Sequence, residues 1–315
     1  MPRVVTVLGE ISPEEMGITY SHEHLVSAPP PKISKLDPDL ILDDEDAIVR
    51  ELSLFQAHGG KTICDASAID YGRNIKAIVR VARASGVHVI ATAGFNKALY
   101  FDDWIAKATQ DELHERIHAE VTSGIEGTPH RAGLLKFGTS YGLMKPVEVK
   151  AARAVCHVQR ETGAPLFTHT EFGTLGLEQI ALLKEEKVDL QRVCIGHQDR
   201  NPDLWNIRKI ANQGCFIGID QISKVKYYTD QVRIDLIIAL AEKGLQEHIM
   251  IGGDLARRSY LKAYGGGPGY GYIVGPFMER LREEMAERSI AAGKIDRLVE
   301  DLLVNNPRRF FTFAK

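Results

Sequence analysis

Eight short runs rich in β-prone residues recur along the 315-residue chain, and longer stretches with apolar residues at helical spacing separate them. The runs are residues 17–22, 61–66, 87–93, 131–137, 165–170, 192–197, 215–220 and 248–254. Strands that alternate with helices form parallel βαβ units. Eight such units in about 250–300 residues match a closed (β/α)8 TIM barrel, and an open doubly wound sheet is the competing architecture. We therefore predict an α/β chain folded as this barrel.

The stretches between the runs carry ordinary helix signals. Helices are predicted over residues 44–58, 146–162 and 230–243, and a further helix begins at Asn201 and Pro202 and ends at Gly214. The first 15 or so residues favour a small hairpin outside the barrel, and residues 279–313 favour a helical tail. Residues 265–271 read as a flexible active-site loop without the ending of a phosphate-binding P-loop. With no linker rich in Pro, Gly or Ser, residues 1–315 are predicted to form a single domain.

Composition narrows the range of partners. The formal net charge of −3 argues against a nucleic-acid partner but leaves room for a local basic pocket that binds a small anion. No apolar run approaches the ~18 residues of a membrane span, so no membrane partner is expected. Four scattered cysteines predict free buried thiols. Together with the absence of a basic and apolar leader, they indicate a cytoplasmic protein.

Histidines stand where several of the runs end. His22 and His24 form an H-x-H pair, and alternation along a strand puts both on one face, where they could share a metal. Two ordinary core or surface histidines are the alternative for this pair taken alone. His169, His197 and Asp254 end the fifth, sixth and eighth runs. Because catalytic groups of a barrel come from the C-terminal ends of different strands, the five residues together predict a metal site at its mouth.

Lys136 closes the fourth run at the same level. Burial and nearby cations both lower the pKa of a lysine. A neutral amine could take up carbon dioxide and become a carbamate, an anion able to bridge two metals. The alternative is a lysine that forms an ion pair with Glu171 or Asp254. The residues alone leave both interpretations open.

Taken together, the motifs resemble those of the phosphotriesterase family of the amidohydrolase superfamily. They are the H-x-H pair around Glu23, the strand-four lysine, T-H-T, I-G-H, G-G-D-x-x-R-R and the closing N-N-P-R-R-F-F at residues 305–311. The resemblance implies two divalent metal ions, most often zinc, with manganese, cobalt or iron as other choices. His22, His24 and Asp254 would hold the more buried ion, and His169 and His197 the more exposed one. Carboxylated Lys136 and a water or hydroxide would bridge them, and Asp254 would carry the hydroxide proton to the leaving oxygen.

The substrate is less constrained, since members of the family hydrolyse lactones, organophosphate triesters or acylated amines. Phe95, Asn96 and Gln221 depart from the pattern of the acyl-homoserine lactonases. Four residues after the seventh and eighth runs, where barrels usually bind phosphate, are similar to relatives that open phosphorylated sugar lactones. These candidate substrate-binding residues are Lys224, Lys226, Arg257 and Tyr260.

The alternative for this basic rim is structural: Arg257 and Arg258 would pair with Asp235 or Glu279, and the lysines would be solvated. The predicted function is a binuclear metal-dependent hydrolase that opens a phosphorylated sugar lactone, a small-molecule substrate, by attack of the bridging hydroxide. A phosphotriesterase or neutral lactone or ester hydrolase is one alternative, and a catalytically inactive metal-binding protein is another. The resemblance is also compatible with a homodimer. Trp104 would then be an interface residue, and the alternatives for it are a lid residue or a core residue.

Overall fold

The computed structural model describes residues 2–313, and its main sheet has the eight parallel strands that the alternating pattern predicts. The strands of the molecule are β1 (Val4–Thr6), β2 (Gly9–Ile11), β3 (Ile18–Glu23), β4 (Gly60–Asp65), β5 (His88–Gly94), β6 (Leu134–Thr139), β7 (Leu166–Thr170), β8 (Val193–Ile195), β9 (Phe216–Ile219) and β10 (Ile249–Ile251). Strands β3 to β10 pair in chain order. The antiparallel pair β1 and β2 is the predicted N-terminal hairpin.

The first and last strands of the sheet meet, which turns the sheet into a barrel. The hydroxyl of Ser21 in β3 donates a hydrogen bond to the carbonyl of Ile251 in β10 at 2.7 Å. Just beyond β10, the backbone N–H of Asp254 donates to the carbonyl of His22 at 3.0 Å. The (β/α)8 barrel is therefore confirmed.

Helices fill the intervals between the strands and extend beyond the last one. They are α1 (Pro31–Ser34), α2 (Glu45–Ala57), α3 (Ile75–Ser85), α4 (Asp103–Lys107), α5 (Gln110–Thr122), α6 (Pro146–Thr162), α7 (Gly176–Glu185), α8 (Leu204–Ala211), α9 (Asp230–Glu242), α10 (Met278–Glu287), α11 (Ala292–Glu300) and α12 (Asn306–Phe311). The last three form the predicted helical tail. Within residues 2–313, no helix combines the length and the apolar character needed to cross a membrane.

Helix α8 begins later than its sequence suggests. The proline at position 202 favours a helix start there, yet the first helical residue is Leu204. The side chain of Asp203 accepts hydrogen bonds from the backbone N–H groups of Trp205 and Asn206, so Asp203 is the N-cap. An acidic cap two residues after the asparagine sets the boundary.

The bottom of the barrel is closed by apolar side chains. One buried cluster joins residues from seven strands of the barrel to the aromatic end of the tail, and includes Cys64, Phe167, Phe216, Phe310 and Phe311. The N-N-P-R-R-F-F ending therefore closes the barrel at the end opposite the C-terminal ends of its strands. All four cysteines are buried and unpaired, as the sequence predicts.

Residues 265–271, predicted as a flexible active-site loop, contact helix α2 through Tyr270. The carboxylate of Glu51 accepts hydrogen bonds from the backbone N–H groups of Ala263, at 2.6 Å, and Tyr270, at 3.0 Å. The hydroxyl of Tyr270 donates to the backbone carbonyl of His24. Tyr270 therefore links helix α2 to the backbone just after β3.

Candidate active site

A cavity of about 280 Å³ lies at the C-terminal ends of the strands. All ten residues predicted to bind metal or substrate line it: His22, His24, Lys136, His169, His197, Lys224, Lys226, Asp254, Arg257 and Tyr260. None of residues 265–271 is part of this lining. The fold thus brings every predicted site residue to one place.

The first group of donors surrounds Asp254. Its Oδ1 lies 3.1 Å from Nε2 of His24 and 3.5 Å from Nε2 of His22. One ligand atom from each of the three residues lies within 4.8 Å of the others. Asp254 follows two glycines and has a φ of 48°, a left-handed conformation that aims its carboxylate back toward the end of β3.

The second group joins His169 and His197. Nε2 of His197 lies 2.8 Å from Nδ1 of His169, and the rings meet edge to face. The other nitrogen of each ring faces a carboxylate: Nδ1 of His197 lies 2.8 Å from Asp220, and Nε2 of His169 lies 2.8 Å from Glu171. When those outer nitrogens donate to the carboxylates, the two inner nitrogens both carry lone pairs that face one another. A cation between them would satisfy both.

Lys136 lies beside His22 of the first group and is almost fully buried. Its Nζ is 3.5 Å from Nε2 of His22 and donates a hydrogen bond to the carbonyl of Ala66 at 3.0 Å. Burial lowers the pKa of Lys136. Among the residues that the structure describes, no carboxylate lies within ion-pair distance of Lys136. The two carboxylates considered as its partners pair with other lysines, Glu171 with Lys97 and Asp254 with Lys224.

The protonation states of the donors suit metal binding. Burial lowers the pKa of His22 to about 3, and it holds the pKa values of His24 and His169 below the ordinary histidine value. Burial alone would raise the pKa of Asp254, but the charge of Lys224 and the hydrogen bond with His24 hold it well below its usual range. Neutral imidazoles and an ionised carboxylate are the forms that bind metals. This donor set fits divalent zinc, manganese, cobalt or iron.

Asp220 is a site residue that the sequence analysis missed. Its two oxygens lie 2.8 Å from Nδ1 of His197 and 3.0 Å from Nδ1 of His22, so it connects the two donor groups. Burial opposes its ionisation, but His197 and His22 keep the pKa of Asp220 below its usual range. Asp220 ends the seventh predicted run, so the strand-end argument applied to the histidines would have found it.

Behind Asp220 lies a buried ion pair that no sequence pattern indicates. The carboxylate of Asp199 accepts backbone hydrogen bonds from Asp220, at 3.3 Å, and Gln221, at 3.1 Å. It also pairs with the guanidinium of Arg233 in α9 at 2.8 Å, and both side chains are fully buried. Arg233 contacts Asp230 as well, at 3.0 Å. This pair fixes the start of the loop after β9.

The predicted substrate-binding residues on the rim differ in whether their charges already have ion-pair partners. Nζ of Lys224 donates to Oδ2 of Asp254 at 2.7 Å, so its charge is already used inside the site. The guanidinium of Arg257 pairs with Asp37 at 2.6 Å and Asp39 at 3.3 Å. The sequence alternative named Asp235 or Glu279 as arginine partners, whereas the partners observed precede α2.

Lys226 is the exposed member of the rim, and Tyr260 lies beside it. Lys226 is exposed, and its Nζ lies 5.2 Å from the centre of the Tyr260 ring. In the part of the chain that the structure covers, no carboxylate lies within 4.0 Å of this ammonium. The cavity also contains Arg200, whose guanidinium lies 4.2 Å from the ring centre of Phe172 and 4.1 Å from that of Tyr227. Trp104 is 43% exposed, which excludes the core role considered for it.

The chain is similar to known proteins over nearly its whole length. A sequence model of the phosphotriesterase family matches residues 2–311. The chain is similar to a lactonase from Listeria monocytogenes, with a TM-score of 0.95 and 39% identity, covering 99% of this chain and 100% of that one. It is also similar to the phosphotriesterase homology protein of Escherichia coli complexed with phosphate in the active site, with a TM-score of 0.87, 34% identity and coverage of 94% and 99%. A phospho-furanose lactonase of Mycoplasmopsis synoviae is 30% identical over 98% of this chain and 91% of its own length.

Proposed function

Because the chain belongs to the phosphotriesterase family, we propose that it is a binuclear lactonase that opens a phosphorylated sugar lactone. As a member of this family with lactonases among its relatives, the chain is a metal-dependent hydrolase of ester and lactone bonds. The observation that carries the binuclear proposal is the convergence of four imidazoles, Asp254 and the buried amine of Lys136 on one cavity.

His22, His24 and Asp254 would hold one ion, and His169 and His197 the other. Lys136 would join them as a carbamate: the lone pair of the neutral Nζ adds to carbon dioxide, and the nitrogen loses a proton. The lowering of the pKa of Lys136 by burial supports this reaction, since an ammonium has no lone pair to add. When bound, two divalent ions lower the pKa of the water they share and polarise the substrate oxygen. We propose zinc, which imidazole and carboxylate donors suit.

The remaining chemistry falls to Asp254. Its Oδ1 faces His24, while Oδ2 accepts hydrogen bonds from Gln221 and Lys224, each at 2.7 Å. Held ionised by these neighbours, Asp254 would accept a proton from the attacking water and pass it to the ring oxygen that leaves. The second role of Lys224 is therefore to position Asp254.

The phosphate part of the proposal depends on the rim. The exposed ammonium of Lys226 and the guanidinium of Arg200 both line the cavity. A charge-assisted hydrogen bond to a phosphate oxygen contributes about 1.5–3 kcal/mol. The phospho-furanose lactonase relative and the phosphate in the Escherichia coli homologue support this assignment.

The proposal is tested with matched pairs of sugar lactones, with and without a terminal phosphate. We expect the phosphorylated member to have the higher kcat/KM, mainly through a lower KM. Equal values for the two members would contradict the phosphate assignment. Faster turnover of an organophosphate triester than of any lactone would instead favour the phosphotriesterase alternative.

A further inference from the structure

Four potential metal ligands meet on the outer face of the barrel, away from its mouth. His114 and His118 lie on helix α5, and His157 and Glu161 lie on helix α6. Residues four apart on a helix share one face, so each helix presents a pair to the other. None of the four lines the active-site cavity.

Glu161 lies at the centre of this cluster. Its Oε2 is 2.7 Å from Nε2 of His114 and 3.9 Å from Nε2 of His118, and its Oε1 is 3.2 Å from Nε2 of His157. The rings of His114 and His157 stack with their centres 4.2 Å apart. One ligand atom from each of His114, His157 and Glu161 lies within 4.8 Å of the others.

A simple cluster of ion pairs does not account for the stacked rings. If both imidazoles were protonated, two like charges would face each other across the stack, and a single carboxylate would have to offset them together with His118. Neutral rings avoid this repulsion and leave one nitrogen of each with a lone pair. The carboxylate of Glu161 contacts both rings, so it is placed to bind the same cation as they do.

We propose that His114, His157 and Glu161 bind a Zn²⁺ ion that links α5 to α6, with His118 beside the fourth coordination position. Two imidazoles and one carboxylate are a known zinc ligand set. Residues 114–118 also read His-Glu-Arg-Ile-His, the spacing at which one helix face offers two imidazoles to zinc. Glu115 of this motif is exposed, and no reaction is assigned to the site.

The test uses the holoenzyme with its mouth site already loaded, dialysed and then titrated with Zn²⁺ in a calorimeter near neutral pH. We expect one further equivalent to bind to the wild type. His157→Ala should weaken this equivalent by at least about tenfold, a loss of about 1.4 kcal/mol. His58→Ala removes a single exposed imidazole outside the cluster and should leave it unchanged.

A second measurement tests the effect of the ion on thermal stability. Because an ion that binds only the folded chain stabilises it, added Zn²⁺ should raise the Tm of the loaded wild type and of His58→Ala, but not that of His114→Ala. Absence of the further equivalent from the wild type would overturn the proposal. Its retention with unchanged affinity in both His114→Ala and His157→Ala would also overturn it.

Discussion

Asp220 accepts a hydrogen bond from His197 through Oδ1, which lies 2.8 Å from the ring Nδ1. This contact places the ring proton on Nδ1 and leaves Nε2 unprotonated toward the cavity, where it faces His169 at 2.8 Å. The second oxygen of Asp220 contacts Nδ1 of His22 in the same way at 3.0 Å. One buried carboxylate therefore sets the tautomer of two imidazoles that belong to different donor groups.

Asp220→Asn should weaken metal binding at the mouth by about 10–100-fold, because an amide cannot accept from both imidazoles through two oxygens. Metal content after dialysis against a weak chelator measures the loss, and kcat should fall with it. Asp235→Asn, at a half-exposed carboxylate on α9, is the matched control and should retain the metal. Equal metal content in the two variants would show that Asp220 does not orient the ligands.

Lys226→Met should raise KM for a phosphorylated lactone and reduce kcat/KM by about 10–100-fold, the loss of one charge-assisted bond. Turnover of the unphosphorylated lactone should stay close to wild type, since the side chain is exposed and lies on the rim. Lys243→Met, at an exposed lysine that follows α9, controls for the change in net charge. A uniform loss on both substrates would argue against a phosphate contact at Lys226.

Arg233→Met should lower the free energy of unfolding by about 3–5 kcal/mol, because it leaves the buried carboxylate of Asp199 without its cation. Arg288→Met removes an exposed arginine that pairs with Asp235 and should cost less than about 1 kcal/mol. Urea denaturation of the two variants provides the comparison. Similar losses would mean that the ion pair behind Asp220 adds little to stability.

Asp70 gives the fold a pH dependence of definite sign. Burial raises its pKa to about 7, although the backbone N–H of Asn96 donates to its Oδ1 at 2.7 Å. An unfolded aspartate releases its proton near pH ~3.9, so the contribution of Asp70 to stability is complete below that pH and is lost as pH rises through about 7.

The variant that isolates this effect is Asp70→Asn, which keeps an acceptor oxygen and does not titrate. Relative to the variant, the wild type should lose unfolding free energy between about pH 4 and pH 7, by on the order of 4 kcal/mol. Urea denaturation at several pH values in this window measures the difference. A difference that is constant, or that grows with pH in favour of the wild type, would contradict the raised pKa.

Position along the strands was enough to predict that the four imidazoles and Asp254 lie together. Parallel strands of a barrel end at one level, so histidines at the ends of separate runs had to meet there. The same argument reaches Asp220, which ends a run of its own. His197, with a φ of 57°, and Asp254 both have left-handed backbone conformations, which orient their side chains toward the cavity. No local sequence pattern predicts these conformations.

The partners of the rim charges could not be predicted in this way. Arg257 pairs with Asp37, which is 220 positions away in the chain, and only the closed barrel brings the two together. Residues 265–271 are predicted as an active-site loop, yet none of them lines the cavity, and the backbone N–H of Tyr270 donates to Glu51 in helix α2. Such contacts depend on tertiary structure, which a local sequence pattern does not predict.

The most direct test of the binuclear site is the metal content of the purified chain beside that of Lys136→Ala. We expect about two divalent ions per chain at the mouth of the wild type and the loss of most of them in the variant, because the carbamate would be a shared ligand. Short carboxylic acids, supplied in place of the missing anion, should restore part of the metal and part of the rate. A Lys136→Ala variant that keeps both ions and the full rate would contradict the bridging role.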